Sequence, residues 1–194
     1  STNLLSARVA LSPFKLRSPD DSLMSIIRAV QLATSSIAEQ YFELPVARRP
    51  PIKRERVYCY ELYHRLRNEL GERHLALTAE PDKRGNPDFD KKRAPNPDLI
   101  IHIPGTNRQN IAVIEVECRP DLRHIRKDLR TLKLMKTKGY RVLILLLFGV
   151  DQVPWKRLTK AALEVELSLT DFEVLLHRSA GQNASVERPP QSRA

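Results

Sequence analysis

Apolar positions along this chain follow two rhythms, one helical and one alternating, and the changes between them outline the elements. In SLMSIIRAVQLATSSIAEQYFEL (22–44), Leu23, Ile26, Ile27, Val30 and Ile37 recur at helical spacing, with Asp20 or Asp21 placed to cap the start. ARRPPIKR (47–54) breaks that rhythm with two prolines in a basic setting and reads as a linker. ERVYCYELYHRLRNELGE (55–72) is expected as a second helix ended by Gly71. At about 100° per residue, Tyr58, Cys59, Leu62, Leu66 and Leu70 form one stripe, with Glu55 projecting into its middle and Glu61 on its polar flank.

RHLALTAEP (73–81) has strand character, and KRGNPDFDKKRAPN (83–96) is a long turn-rich loop. Two strands follow, PDLIIHI (97–103) and NIAVIEVEC (110–118), joined by the hairpin-like PGTNRQ. RPDLRHIRKDLRTLKLMKTKG (119–139) is the clearest helix, with Leu122, Ile125, Leu129 and Leu132 as its buried seam. YRVLILLLFG (140–149) is a continuous apolar run, as in a central strand covered on both faces. A shorter helix near WKRLTKAALEVEL and a strand at 171–178 complete the pattern.

From residue 55 the order is α-β-β-β-α-β. The hairpin steps are antiparallel, and the long helix should carry the chain across to a parallel neighbour. The expected class is therefore α/β, a mixed sheet flanked by helices. Residues 1–54 are read as an N-terminal helical extension with a basic Pro-rich linker, 55–179 as the core, and 180–194 as a disordered polar tail.

Charge narrows the partners. Among 194 residues, 33 Lys+Arg against 23 Asp+Glu give a net charge of +10, which favours a polyanion, most often nucleic acid. The two cysteines, Cys59 and Cys118, lack zinc-site spacing and read as reduced thiols. No apolar run reaches the ~20 residues of a membrane helix. The opening STNLLSARVALSPF has no basic-then-apolar layout, so a cytoplasmic protein without a membrane partner is expected.

Against this basic background, three acids sit in or beside apolar strands. Side chains alternate across a strand, so Asp98 shares a face with Ile100 and His102, and Glu115 and Glu117 share one with Val113. If the hairpin aligns these faces, three carboxylates converge at one end of a sheet. They would carry too much negative charge to persist unpaired in a low-dielectric cleft. A divalent cation answers that, and carboxylate oxygens are the ligands Mg²⁺ prefers. Plainer roles stand beside this one: Asp98 as a turn residue after proline, Glu115 in a structural salt bridge, Glu117 solvated, and Glu55 as a helix-start acid favoured by the dipole.

Pro97-Asp98, followed seventeen residues later by Glu115-Val116-Glu117, resembles the motif of the PD-(D/E)xK nuclease superfamily, the restriction-endonuclease-like fold. The resemblance covers roughly residues 55–150. It implies that Asp98 and Glu115 bind Mg²⁺ or Mn²⁺, that a glutamate on the first core helix (Glu55, with Glu61 as runner-up) faces the metal, and that the protein is a metal-dependent endo- or exodeoxyribonuclease. Restriction, phage defence or repair, with a homodimer or a subunit of a defence complex as the assembly, follows by the same analogy. The chain departs from the family at Glu117, where the third motif residue is normally lysine. Glutamate there can act as general base or as a further metal ligand, but a positive charge is lost. Arg126 and Lys133 on one flank of the following helix, His124 on the other, and Arg119 just past the strand are the candidates to replace it, while Lys127 is read as pointing away from the seam.

That helix, residues 119–138, carries eight Lys/Arg and two Asp. The excess suits phosphate contacts through Arg119, Arg123, Arg126, Arg130 and Lys133, most naturally with DNA. Two other readings stay open: a catalytically inactive nuclease-fold subunit that binds nucleic acid within a larger complex, and a protein-interaction module with a basic face.

Overall fold

The structure, a computed structural model, describes residues 19–71, 75–80, 96–103 and 110–190. The PGTNRQ turn and all but the last residue of the expected loop at 83–96 lie outside the described residues, as do the chain before residue 19 and its last four residues. Helices α1 (Pro19–Ser35) and α2 (Glu39–Phe42) lead into a hairpin of β1 (Leu44–Val46) and β2 (Arg49–Ile52), and then helix α3 (Glu55–Leu70). Next come β3 (Ala76–Ala79), β4 (Leu99–His102), β5 (Asn110–Glu117), α4 (Leu122–Thr137), β6 (Val142–Phe148), α5 (Trp155–Val165), β7 (Glu173–His177) and β8 (Ser185–Glu187). Strands β3 to β8 form one six-stranded sheet in sequence order. Pairing is antiparallel for β3–β4, β4–β5 and β7–β8, and parallel for β5–β6 and β6–β7. The expected mixed sheet flanked by helices is present, with α4 making the crossover to a parallel strand.

Alternation along the strands divides the core into two layers. Leu99, Ile101, Ile114, Val116, Ile144 and Leu146 pack with Ile26, Val30, Tyr58 and Leu62 of α1 and α3. Ile100, Val113, Leu143, Leu145 and Leu147 pack with Ile125, Leu129, Leu158 and Ala161 of α4 and α5. All seven residues of β6 are buried, which is why that run shows no alternation. Among the described residues, no helix is long and apolar enough to cross a membrane.

Three boundaries differ from the sequence pattern. The helical rhythm of 22–44 does not continue as one helix: α1 stops at Ser35, where the hydroxyls of Ser35 and Ser36 bond back to the Leu32 carbonyl. The Pro-rich stretch is not a simple linker. Arg48, at φ 60°, turns the chain, and Pro50 and Pro51 sit in a two-stranded hairpin that tolerates their missing donors. The N-terminal segment is no appendage either, since α1 supplies part of the core above α3.

The polar tail contributes a strand. Residues 185–187 complete the sheet against β7, and Thr34 and Gln31 of α1 clamp Ala184 from both sides of its peptide. Side-chain polarity concealed this strand because its pairing is made through the backbone.

Candidate functional site

The register of β4 on β5 sets Leu99 opposite Ile114 and Ile100 opposite Val113. One step further along that register brings Asp98 beside Glu115, on the face that carries α4. Asp98 is anchored there: its Oδ2 accepts the Val116 amide at 2.7 Å, and its carbonyl accepts the Glu80 amide at 2.9 Å. The α3 N-terminus brings Glu55 to the same end of the sheet, where one oxygen each of Glu55 and Glu117 and the Cys118 sulfur lie within 4.8 Å of one another. Among the described residues, the acids expected from sequence at positions 55, 98, 115 and 117 therefore gather at the C-terminal end of β5. Glu61 does not join them. It is nearly buried and bonded to Arg65 one turn along α3, at 2.7 Å.

Glu115 is the anomaly of the site. It is 1% exposed, and among the described residues neither carboxylate oxygen has a hydrogen-bond partner. A buried orphan of this kind is costly unless a proton or a cation accompanies it. Burial pushes its pKa well above the ordinary carboxylate range, and Asp98, Asp128 and Glu55 add to the rise while Lys127 opposes it. Burial also raises Asp98 to about 6, against the opposing pull of the Val116 amide and Lys127. Glu55 rises to about 7, from burial and then the charges of Asp98 and Glu117. Glu117 is held by the Arg119 amide on one oxygen and faces His124 Nδ1 at 3.5 Å on the other.

Helix α4 contributes one carboxylate that sequence reasoning passed over. Asp128 is 1% exposed, has an unpartnered Oδ2, and is raised by burial to about 8. The signal was present: on a helical projection Asp128 falls between Leu132 and Met135, inside the apolar arc, once the seam is extended to include buried Met135. Lys127, read as pointing away from the seam, is 65% exposed along its side chain, with its Nζ 3.4 Å from Asp128 Oδ1. Burial alone would lower its pKa, but Asp128, Glu115 and Asp98 together raise it.

The basic residues expected to meet phosphate divide into two groups. Arg126 binds Glu164 of α5 and Lys133 binds Glu166, the latter at 3.0 Å, so both are turned to the neighbouring helix. Arg119, Arg123 and Arg130 are exposed, and Arg119 and Arg123 stand at the end of α4 nearest the acids. An acidic well with a basic rim can hold a divalent cation through oxygen ligands and draw a phosphate toward it. Asp98, Glu115 and Glu55 supply such oxygens, and the orphaned Glu115 has room in its bonding for an ion. Comparison with known proteins brought no match: no family model, no curated protein and no solved structure resembles the chain at a meaningful level.

Proposed function

We propose that this protein is a metal-dependent nuclease that hydrolyses phosphodiester bonds in DNA, on a restriction-endonuclease-like core formed by α3, β3, β4, β5, α4 and β6. One observation carries the reading: Glu115, buried with both oxygens unpartnered, beside Asp98 at the end of two paired strands. A structural glutamate would have found an arginine or a backbone amide. Among the described residues this one has neither, in a protein with an excess of cations.

Asp98 and Glu115 would hold Mg²⁺ or Mn²⁺, with Glu55 completing the set. Such an ion, when bound, neutralises charge on the phosphoryl group and makes water a better nucleophile. Asp98 is pre-oriented for this role by the Val116 amide, which fixes one oxygen and leaves the other available. Glu117 faces the same space and can take the proton of the attacking water, while Arg119 and Arg123 at the rim attract the backbone. Cleavage of plasmid and linear DNA with Mg²⁺ or Mn²⁺ tests the proposal. Activity that survives both Asp98→Ala and Glu115→Ala would remove it.

A non-cutting nucleic-acid-binding subunit is the second reading. It is favoured by Glu117, an acid where a nuclease of the resembled type carries lysine, and by the pairing of Arg126 and Lys133 with α5. Calorimetric titration separates the two, because a purely architectural module has no Mg²⁺ binding that depends on Asp98 and Glu115.

A further inference from the structure

The β1–β2 hairpin carries charge of one sign. Residues 44–54 include Arg48, Arg49, Lys53 and Arg54 and no acid. Val46 pairs with Arg49, so Ala47 and Arg48 form a two-residue turn with two arginines at its tip. Residues 47–51 are all exposed, and the tip stands clear of the sheet. Among the described residues, the side chains of Arg48, Arg49 and Arg54 have no ion pair or hydrogen bond. Arg48 lies at φ 60°, in the left-handed region that glycine or asparagine enters at little cost. Turn stability alone would favour one of those residues. The arginine found there is strained, solvated and unpaired.

Both legs of the hairpin are fastened at the acidic end of the sheet. Before β1, Phe42 packs edge-on against Phe148, the last residue of β6, at 5.6 Å, and against Tyr58 at 6.1 Å. After β2, Lys53 Nζ donates to the Gly149 carbonyl at 2.5 Å and lies 3.4 Å from Glu43. Leu147 of β6 is the register partner of Glu117, so Gly149 stands two residues past the level of that acid, one strand over. Helix α3 begins two residues after Lys53 with Glu55, whose carboxylate meets Glu117 and Cys118 within 4.8 Å. The hairpin therefore rises beside the acids, on the α3 side. Arg123 belongs to α4, and α3 and α4 cover opposite faces of the sheet.

We propose, resting on the nuclease reading above for the choice of DNA as the polyanion, that the β1–β2 hairpin is a DNA-binding arm. Arg48 and Arg49 donate to backbone phosphates of a duplex whose other contacts are at Arg119 and Arg123, and Arg54 adds charge at the root. Guanidinium groups suit this, because their fork matches phosphate oxygens. Contacts of this kind position a duplex over the acids without reading its sequence.

Fluorescence anisotropy of a labelled DNA duplex in EDTA, across a salt series, reads binding without cleavage. Arg48→Gly and Arg49→Gln are each expected to weaken binding several-fold and to lower the salt slope by about 1, and the double variant by about 2. Arg48→Gly should melt no lower than the wild type, since glycine accepts the left-handed turn. Lys136→Gln removes an equal charge at the opposite end of α4, where Lys136 binds Asp171 at 2.6 Å, and should leave the slope unchanged. A wild-type slope in the folded double variant overturns the arm, as does an equal loss from Lys136→Gln. Unchanged duplex binding with weakened binding to vesicles of phosphatidylcholine and phosphatidylserine also overturns it, and assigns the hairpin to a membrane surface. A protein that binds duplex through Arg48 and Arg49 but cuts no DNA with Mg²⁺ or Mn²⁺ overturns the nuclease reading alone.

Discussion

The backbone amide of Val116 donates to Asp98 Oδ2 at 2.7 Å, so strand β5 grips the acid that immediately precedes its neighbour β4. This bond gives Asp98 a structural role separable from any metal ligation. Asp98→Asn keeps an acceptor for Val116 and should fold with near-native stability, yet lose Mn²⁺ binding and cleavage. Asp98→Ala leaves the amide without its partner and is expected to cost a further ~1–2 kcal/mol in urea unfolding. Equal stability of the two variants would show that the bond contributes nothing.

Glu115 invites the opposite experiment. Its two unpartnered oxygens make it a stability liability in the metal-free protein. Glu115→Leu, in a layer already lined by Val113 and Leu145, is expected to stabilise the chelator-treated protein by about 1–3 kcal/mol at pH 8 while removing metal binding. Thermal melts with EDTA check this, and a destabilised variant would mean that an unseen partner satisfies the carboxylate.

Protonation couples the cluster to pH. Asp98, Glu55 and Asp128 have folded pKa values raised to about 6, 7 and 8. Below the unfolded value near 4 all are neutral in both states. As pH rises from there toward 8, the unfolded chain releases its protons first, so metal-free stability falls across that window. His177, buried against Tyr58 and lowered to about 4 by burial, acts in the reverse sense, removing stability as pH falls from about 6.5 toward 4. Three carboxylates outweigh one imidazole where the windows overlap. Chelator-treated protein should therefore melt at lower temperature at pH 8 than at pH 5.5, and Mn²⁺ should narrow the gap by displacing protons. A melting temperature that rises with pH in EDTA would contradict the raised values.

The rim arginines and the paired cations make different predictions for DNA affinity. Arg119→Ala and Arg123→Ala should each weaken binding across sequences and reduce the salt slope by about 1. Arg126→Ala and Lys133→Ala remove charges already satisfied by Glu164 and Glu166 and should leave the slope nearly unchanged. Fluorescence anisotropy across a salt series measures both, and equal slopes for all four variants would mean that the ion pairs with α5 open on binding.

Much of this was legible from periodicity. The alternation in 97–103 and 110–118 fixed which side chains share a face, and so predicted that the acids could meet. The apolar run of β6 announced a strand covered twice. Glu55 was identified because an acid in an apolar stripe needs a partner. Asp128 escaped because the seam of α4 was drawn too narrowly, stopping before Met135. The strand at 185–187 escaped because its polar side chains show no apolar pattern, and its place is set by the open edge of β7.

What composition and pattern determined alone was the set of elements, their order, and the acids on shared faces, since each depends on a local period of two or 3.6 residues. Which cations serve those acids was decided only in three dimensions. Arg126, Lys127 and Lys133 lie within two turns of one helix, and their spacing does not say which will find an acid on or beside α5 and which will pair within α4. The packing of α5 against α4 takes Arg126 and Lys133, whereas Lys127 stays largely exposed and pairs with its neighbour Asp128.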